Sequence, residues 1–103
     1  MSASFSTHRF EWQGLSLTVE YSPDWSEAMS RVYGYSLAHL AIRSDSGEPL
    51  PITETGYRSA FLPTTEVEQE GGPEPYVRAW LDAFAGEPAW REAKAKAAQL
   101  SLF

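Results

Sequence analysis

Between Leu15 and Tyr21 the chain alternates. Leu15, Leu17, Val19 and Tyr21 are apolar, and Ser16, Thr18 and Glu20 fall between them. A period of two sends successive side chains to opposite faces, which is the pattern of a half-buried strand. Phe10 and Trp12 alternate in the same way with Arg9 and Glu11, and Gln13-Gly14 separates the two runs. A glycine there supplies the positive φ of a tight turn. Residues 8–21 are therefore predicted to form a β-hairpin, with Phe10, Trp12, Leu17 and Val19 facing one core.

Ser22-Pro23-Asp24 interrupts the pattern. Trp25 to Val32 fits either a single helical turn, with Trp25 and Met29 four apart on one face, or an irregular connection. Tyr33-Gly34-Tyr35 is read as a bend. Residues 36–43 are the third strand, with Ala38, Leu40 and Ile42 on one face and His39, Ala41 and Arg43 on the other. Ser44-Asp45-Ser46-Gly47-Glu48-Pro49 has the composition of a turn, and Pro49 and Pro51 keep the next residues extended and off a central strand. Thr53-Glu54-Thr55-Gly56 is a further turn. Tyr57 to Leu62 is a short fourth strand, stopped by Pro63.

The pattern then changes. Thr64 to Gly72 holds Glu66, Glu68 and Glu70 and ends in Gly71-Gly72, which reads as a solvated loop between sheet and helices. Pro73 and Pro75 suit a first helical turn. Tyr76, Trp80 and Phe84, with Val77 and Leu81 beside them, form an apolar stripe at helical spacing, and Gly86 is its stop. Pro88 opens a second helix reaching about Ala98. Its apolar side is thin: Trp90, Ala93 and Ala97. Arg91, Lys94 and Lys96 lie toward its C-terminal half, where cations suit the helix dipole. This helix is expected to dock through Trp90 and carry the last residues of the chain outward. The fold class is α+β: a small antiparallel sheet of three to four strands with an N-terminal hairpin, followed by two C-terminal helices. Residues 1–98 are expected to form a single domain, and residues 99–103 a C-terminal docking peptide.

The 103 residues suit one domain. Apolar residues make up 43%, and four Trp, five Tyr and five Phe make the expected core rich in aromatics. Fourteen acidic against eight basic residues leave a net charge of −6, which argues against direct nucleic-acid binding, since a phosphate backbone needs a basic patch. With no Cys, disulfides and thiolate metal sites are excluded and a cytoplasmic setting is expected. The first residues lack the pattern of a signal peptide, and no apolar stretch approaches a membrane span.

Gln99-Leu100-Ser101-Leu102-Phe103 carries the sharpest chemical signal. Leu100, Leu102 and Phe103 are three apolar anchors, and Leu102 and Phe103 each gain roughly 1.5–3 kcal/mol if a pocket removes them from water. Gln99 offers a donor and an acceptor on one amide, and Ser101 is small enough to leave the backbone free to extend. These five residues resemble the peptide that binds the bacterial DNA sliding clamp, Gln-Leu-(Ser or Asp)-Leu-Phe, at all five positions. The resemblance implies a clamp partner, with an affinity on the order of micromolar because a flexible segment must be ordered. The alternative is that the three anchors pack on the chain's own core. Residues 51–59, Pro-Ile-Thr-Glu-Thr-Gly-Tyr-Arg-Ser, resemble a stretch of small uncharacterised proteins of bacterial plasmids and mobile elements.

Other constellations are thinner. His8 and His39 could meet on neighbouring strands with Glu11, but their spacing has no metal signature, and no metal or other cofactor is expected. Thr55, Tyr57, Arg58 and Ser59, with Thr53 and Glu54, gather hydroxyls and a guanidinium around Gly56, a possible ligand loop in which Arg58 would grip an anion. Otherwise they form a turn that caps itself, with Arg58 paired to Glu54 or Asp45. No Ser/His/Asp order, P-loop or dinucleotide fingerprint is present. The expectation is a non-enzymatic adaptor or accessory protein of bacterial DNA replication, repair or mobile-element maintenance. The alternatives are an acidic DNA mimic using Glu66, Glu68 and Glu70, and a small-ligand domain centred on Arg58.

Overall fold

The computed structural model describes the backbone of residues 5–100 and the side chains of residues 5–96. Four strands form one antiparallel meander in the order β1 (Ser6–Trp12), β2 (Leu15–Ser22), β3 (Leu37–Ser44) and β4 (Tyr57–Pro63). The hairpin closes on Gln13 (φ 49°) and Gly14 (φ 80°), both left-handed, so its two-residue turn matches the right-handed twist of the strands. Phe10 faces Leu17 and Trp12 faces Leu15. Leu17 also faces Ser44, and Val19 faces Ile42.

That register puts the apolar set on one face. Leu17, Val19, Ala38, Leu40 and Ile42 are fully buried, and Phe10, Trp12 and Tyr21 nearly so. The expected strand faces hold for the hairpin and for β3. Thr18, on the polar side of the alternation, is nonetheless buried, its hydroxyl donating to Asp45 Oδ1 at 2.6 Å. Leu50 and Ile52, from the proline-flanked segment, add to the same core.

Helix α1 spans Glu27–Tyr33. Ser26 caps it, its hydroxyl accepting from the Met29 N–H at 3.3 Å. Trp25 lies ahead of the cap, so it and Met29 do not share a helical face.

The expected solvated loop over 64–72 is overturned. Thr64–Gln69 is a helix, α2, and its Val67 is fully buried. A single apolar residue among glutamates gives no periodicity to detect, yet one buried contact and Glu66 in the first turn suit a short helix on the core. With α1, the helical alternative for the stretch after Trp25, two short helices precede the two expected C-terminal ones.

Helix α3 (Pro73–Ala85) lays Val77 and Leu81 into the core, with Tyr76 and Trp80 partly buried beside them. Phe84 is a correction to the expected stripe, because it is 46% exposed. Its angular position lies between those of Trp80 and Leu81, so its place in the last turn exposes it, not its face. Trp12 Nε1 donates to Asp82 Oδ1 at 2.8 Å, and the Tyr21 hydroxyl donates to Glu68 Oε2 at 2.8 Å. These two bonds tie α3 and α2 to the hairpin. Burial first, and then the Glu68 carboxylate, push the Tyr21 hydroxyl well above its ordinary pKa, so it stays protonated as a donor.

Helix α4 runs Pro88–Leu100, two residues beyond the expected Ala98. The expected docking peptide therefore starts inside the helix, with Gln99 and Leu100, and Ser101–Phe103 lie outside the described residues. Trp90 packs against the core, 6.1 Å from Trp12 between ring centroids. Residues 91–96 are all exposed.

Candidate functional site

Alternation that buries one face of the sheet must leave the other to be covered or shown. All the packed helices contribute their buried residues to the first face. On the second lie Thr18, Glu20, His39, Ala41, Ser59 and Phe61, by the same register. Trp25 is brought over this face by the connection from β2. Its N–H donates to Leu37 O at 2.9 Å. The Ser36 and Thr64 hydroxyls both donate to Pro23 O, holding the strand break against the start of β3 and the end of β4.

The result is a three-ring cluster. Trp25 and His39 lie 4.7 Å apart between centroids, His39 and Phe61 4.6 Å, and Trp25 and Phe61 5.6 Å, the last edge-on. His39 Nε2 is 2.6 Å from Ser59 Oγ. Partial burial pushes the imidazole below its ordinary pKa, opposed by the nearby Glu20 carboxylate. Trp25 is 45% and Phe61 52% exposed. Met29, Val32, Tyr33 and Tyr35 extend the apolar exposure along α1 and the bend after it. Neighbouring exposed rings of this kind mark interaction surfaces more often than scattered single residues do. Sequence reasoning placed His39 on this face and missed Trp25 and Phe61 as its companions. The signal available was that Phe61 and His39 share the parity that leaves the core.

The expected ligand loop is not brought together. Tyr57 and Ser59 point to the open face, and Arg58, between them, points to the core face. Thr55 and Thr53 hydroxyls both reach Tyr57 O, at 3.2 and 2.8 Å. The turn thus caps the start of β4. Arg58 pairs with neither Glu54 nor Asp45. Its Nη1 donates to Ile52 O at 3.0 Å and its guanidinium lies 5.2 Å from the Trp80 ring centroid. Gly56 anchors the turn: its carbonyl accepts from Ser44 N–H at 2.8 Å, and its φ of +80° is left-handed.

The histidines do not meet. His8 faces Val19 on the core side, bonding Ser6 Oγ at 2.8 Å, and His39 is on the open side. Among the described residues, no group of three His, Cys, Asp or Glu is placed to hold a metal. Glu66, Glu68 and Glu70 fall at alternate positions, the first two within α2, so they do not line one helical face. Glu68 is taken by Tyr21. A cavity of about 230 Å³ opens where the hairpin turn meets α4, lined by Leu15, Pro49, Trp90 and Ala93 with Glu48 and Lys94. Lys94 Nζ donates to Gln13 Oε1 there, at 3.0 Å. No helix among the described residues is long and apolar enough to cross a membrane.

No curated protein and no solved structure matches this chain. A family model described as the KlcB third domain matches residues 5–90. That span takes in the sheet, α1 to α3 and the first turn of α4 through Trp90, and leaves out the rest of α4 and the five residues that end the chain. The chain belongs to the KlcB third-domain family.

Proposed function

We propose that this chain is a non-enzymatic adaptor of bacterial DNA replication, repair or mobile-element maintenance, acting in the cytoplasm and docking on the DNA sliding clamp through Gln99–Phe103. The observation that carries this reading is the way α4 leaves the body. Trp90 anchors its first turn against Trp12, and residues 91–96 are exposed throughout. At about 1.5 Å per residue, the ten residues from Trp90 to Leu100 span ~15 Å. Leu100, where that helix ends, is therefore about that far along the axis from the Trp90 anchor, which supports a tail that reaches away from the core. Gln99 and Leu100 are helical in the free chain, so an extended docked form unwinds the last turn, and helix ends fray readily. The globular part, matched to its own family without this segment, would hold a second partner while the tail holds the clamp.

The test is a titration of purified sliding clamp with the full chain and with a chain lacking Leu102 and Phe103. The full chain is expected to bind in the micromolar range and the shortened one not at all, with an unchanged melting temperature. Gln99→Ala should weaken binding by about 2- to 13-fold, the equivalent of one neutral hydrogen bond of ~0.5–1.5 kcal/mol. A large loss of melting temperature on truncation, with no clamp binding by the full chain, would return the three anchors to the protein's own core and sink the proposal.

A further inference from the structure

β4 is an edge strand, and the register tells which of its backbone groups are free. Thr64 N–H donates to Ser36 O at 3.0 Å, and Ser44 N–H donates to Gly56 O at 2.8 Å. With Ile42 facing Arg58 and Leu40 facing Ala60, the even-numbered residues of β4 bond to β3. The odd-numbered ones turn their N–H and C=O outward. Tyr57 O is taken by the Thr53 and Thr55 hydroxyls. The N–H and C=O of Ser59 and of Phe61 have no bond to any described residue. The far edge, β1, turns out the backbone of Thr7, Arg9 and Glu11 by the same rule. Charged side chains flank its free groups, a common guard against strand pairing. β4 has no such guard beside Ser59 and Phe61, since its one charged residue, Arg58, is held at Ile52 O and Trp80 on the other face.

We propose that two copies of this chain pair antiparallel through β4, centred on Ala60. The free groups are self-complementary about that residue. Ser59 of each copy exchanges both backbone bonds with Phe61 of the other, four bonds in all, joining two four-stranded sheets into one of eight. A twofold axis at Ala60 brings two small side chains together, so nothing bulky opposes closure. On the open face the two Phe61 rings become diagonal neighbours, with Cα atoms roughly 7–8 Å apart, within reach of each other. Each covers part of the other's 52% exposure, and the Trp25–His39–Phe61 clusters of both copies merge into one surface. A second copy is the occupant that supplies both the complementary register and the matching ring.

Sedimentation of the full chain over a wide dilution series tests this. The mass should rise from 11.5 kDa toward twice that value as concentration increases. Ser59→Pro removes an outward N–H without touching the ladder to β3 and should hold the protein at the monomer mass. Phe61→Lys leaves the backbone unchanged and should do the same, which keeps the test sound if the proline variant fails to fold. The chain has no cysteine, so single ones can be introduced. Ala60 would face its own copy as a non-hydrogen-bonded pair, with Cα atoms about 4.5 Å apart, inside the disulfide range. Ala60→Cys should oxidise to a covalent dimer well before Glu11→Cys on the guarded edge. A monomer mass at every concentration, dimers unaffected by Phe61→Lys, or equal oxidation of the two cysteine variants would overturn the proposal. A monomer would leave the β4 edge to a strand of some other protein.

Discussion

The two faces of the sheet are written in the same strands, one residue apart, and they have opposite fates. On one, Leu17, Val19, Leu40 and Ile42 have no exposure, and α2, α3 and Trp90 close over them. On the other, Trp25 and Phe61 keep roughly half of theirs. The covered face must satisfy packing, so its residues are apolar, aliphatic at the sheet's centre and aromatic at Phe10, Trp12 and Tyr21. The open face holds rings, an imidazole and hydroxyls that packing does not require. Apolar side chains left in water gain nothing from folding, so their presence there points to contacts made with other molecules. The same contrast separates the body from α4, which packs on the core through Trp90, bonds the hairpin turn through Lys94, and is exposed over residues 91–96.

The comparison breaks if the faces respond alike to truncation. Leu17→Ala should cost about 2–5 kcal/mol, since a fully buried leucine leaves a cavity in a close-packed core. Phe61→Ala on the open face should cost less than about 1 kcal/mol. Denaturant titration of both variants reads the difference directly, and equal midpoint shifts would mean that the open face carries stability.

A smaller but still sizeable effect is expected at Gly56. Its φ of +80° is left-handed, and an added Cβ would lie 2.8 Å from Gly47 O and 2.9 Å from both Glu48 O and Ser44 Oγ. Two of these are backbone atoms with little room to give. Gly56→Ala should therefore cost about 1–3 kcal/mol, measured by thermal melting. Gly14→Ala meets no atom within 4 Å and should show only the left-handed strain, so the difference between the two variants isolates the close approach.

The covered face was largely legible in the sequence, and the open face was not. Period-two alternation named Leu17, Val19, Ala38, Leu40 and Ile42, because burial selects apolar residues at every second position. Helical spacing named Val77 and Leu81 for the same reason. Alternation failed at α2, where Val67 alone reaches the core and one residue makes no period. It also mislaid Phe84, since spacing reports angle and not how far along the axis the core extends. The Trp25–His39–Phe61 cluster depends on contacts between a strand break, β3 and β4. Those contacts follow from the register of the whole sheet, which no local pattern holds. The grouping of Thr55, Tyr57, Arg58 and Ser59 was a local inference of this kind, and strand parity sends Arg58 to the opposite face.

Arg58 sharpens that point at lower energy. It donates one bond to Ile52 O and sits over Trp80 at 5.2 Å. An exposed cation–ring contact is worth about 0.5–1 kcal/mol, and the part-buried bond to Ile52 O adds a comparable small amount. Arg58→Ala should lower stability by about 1 kcal/mol and leave the open face's contacts intact, visible as unchanged indole and imidazole resonances of Trp25 and His39. Loss of a tightly bound anion with this substitution would instead revive a ligand site on the core side of β4.

The smallest expected effect belongs to His39, and its sign follows from the face it occupies. Burial against Trp25 and Phe61 pulls its pKa below the ordinary 6.5, while the Glu20 carboxylate pulls the other way. In the unfolded chain the imidazole takes up its proton near pH 6.5. Above that pH both states hold it neutral and the native state keeps its full stability. As pH falls through 6.5 the unfolded state gains the proton first, so stability declines, and the decline ends once pH passes below the folded pKa. His39→Gln should flatten this part of the stability profile while leaving the carboxylate region beneath it unchanged. Glu20→Gln, by removing the opposing charge, should lower the folded pKa further and stretch the decline to lower pH. An imidazole titration followed by NMR reads both shifts. A folded pKa above 6.5 would mean that Glu20 outweighs burial, and the ring cluster would then be open enough to water to admit a charged His39 without cost.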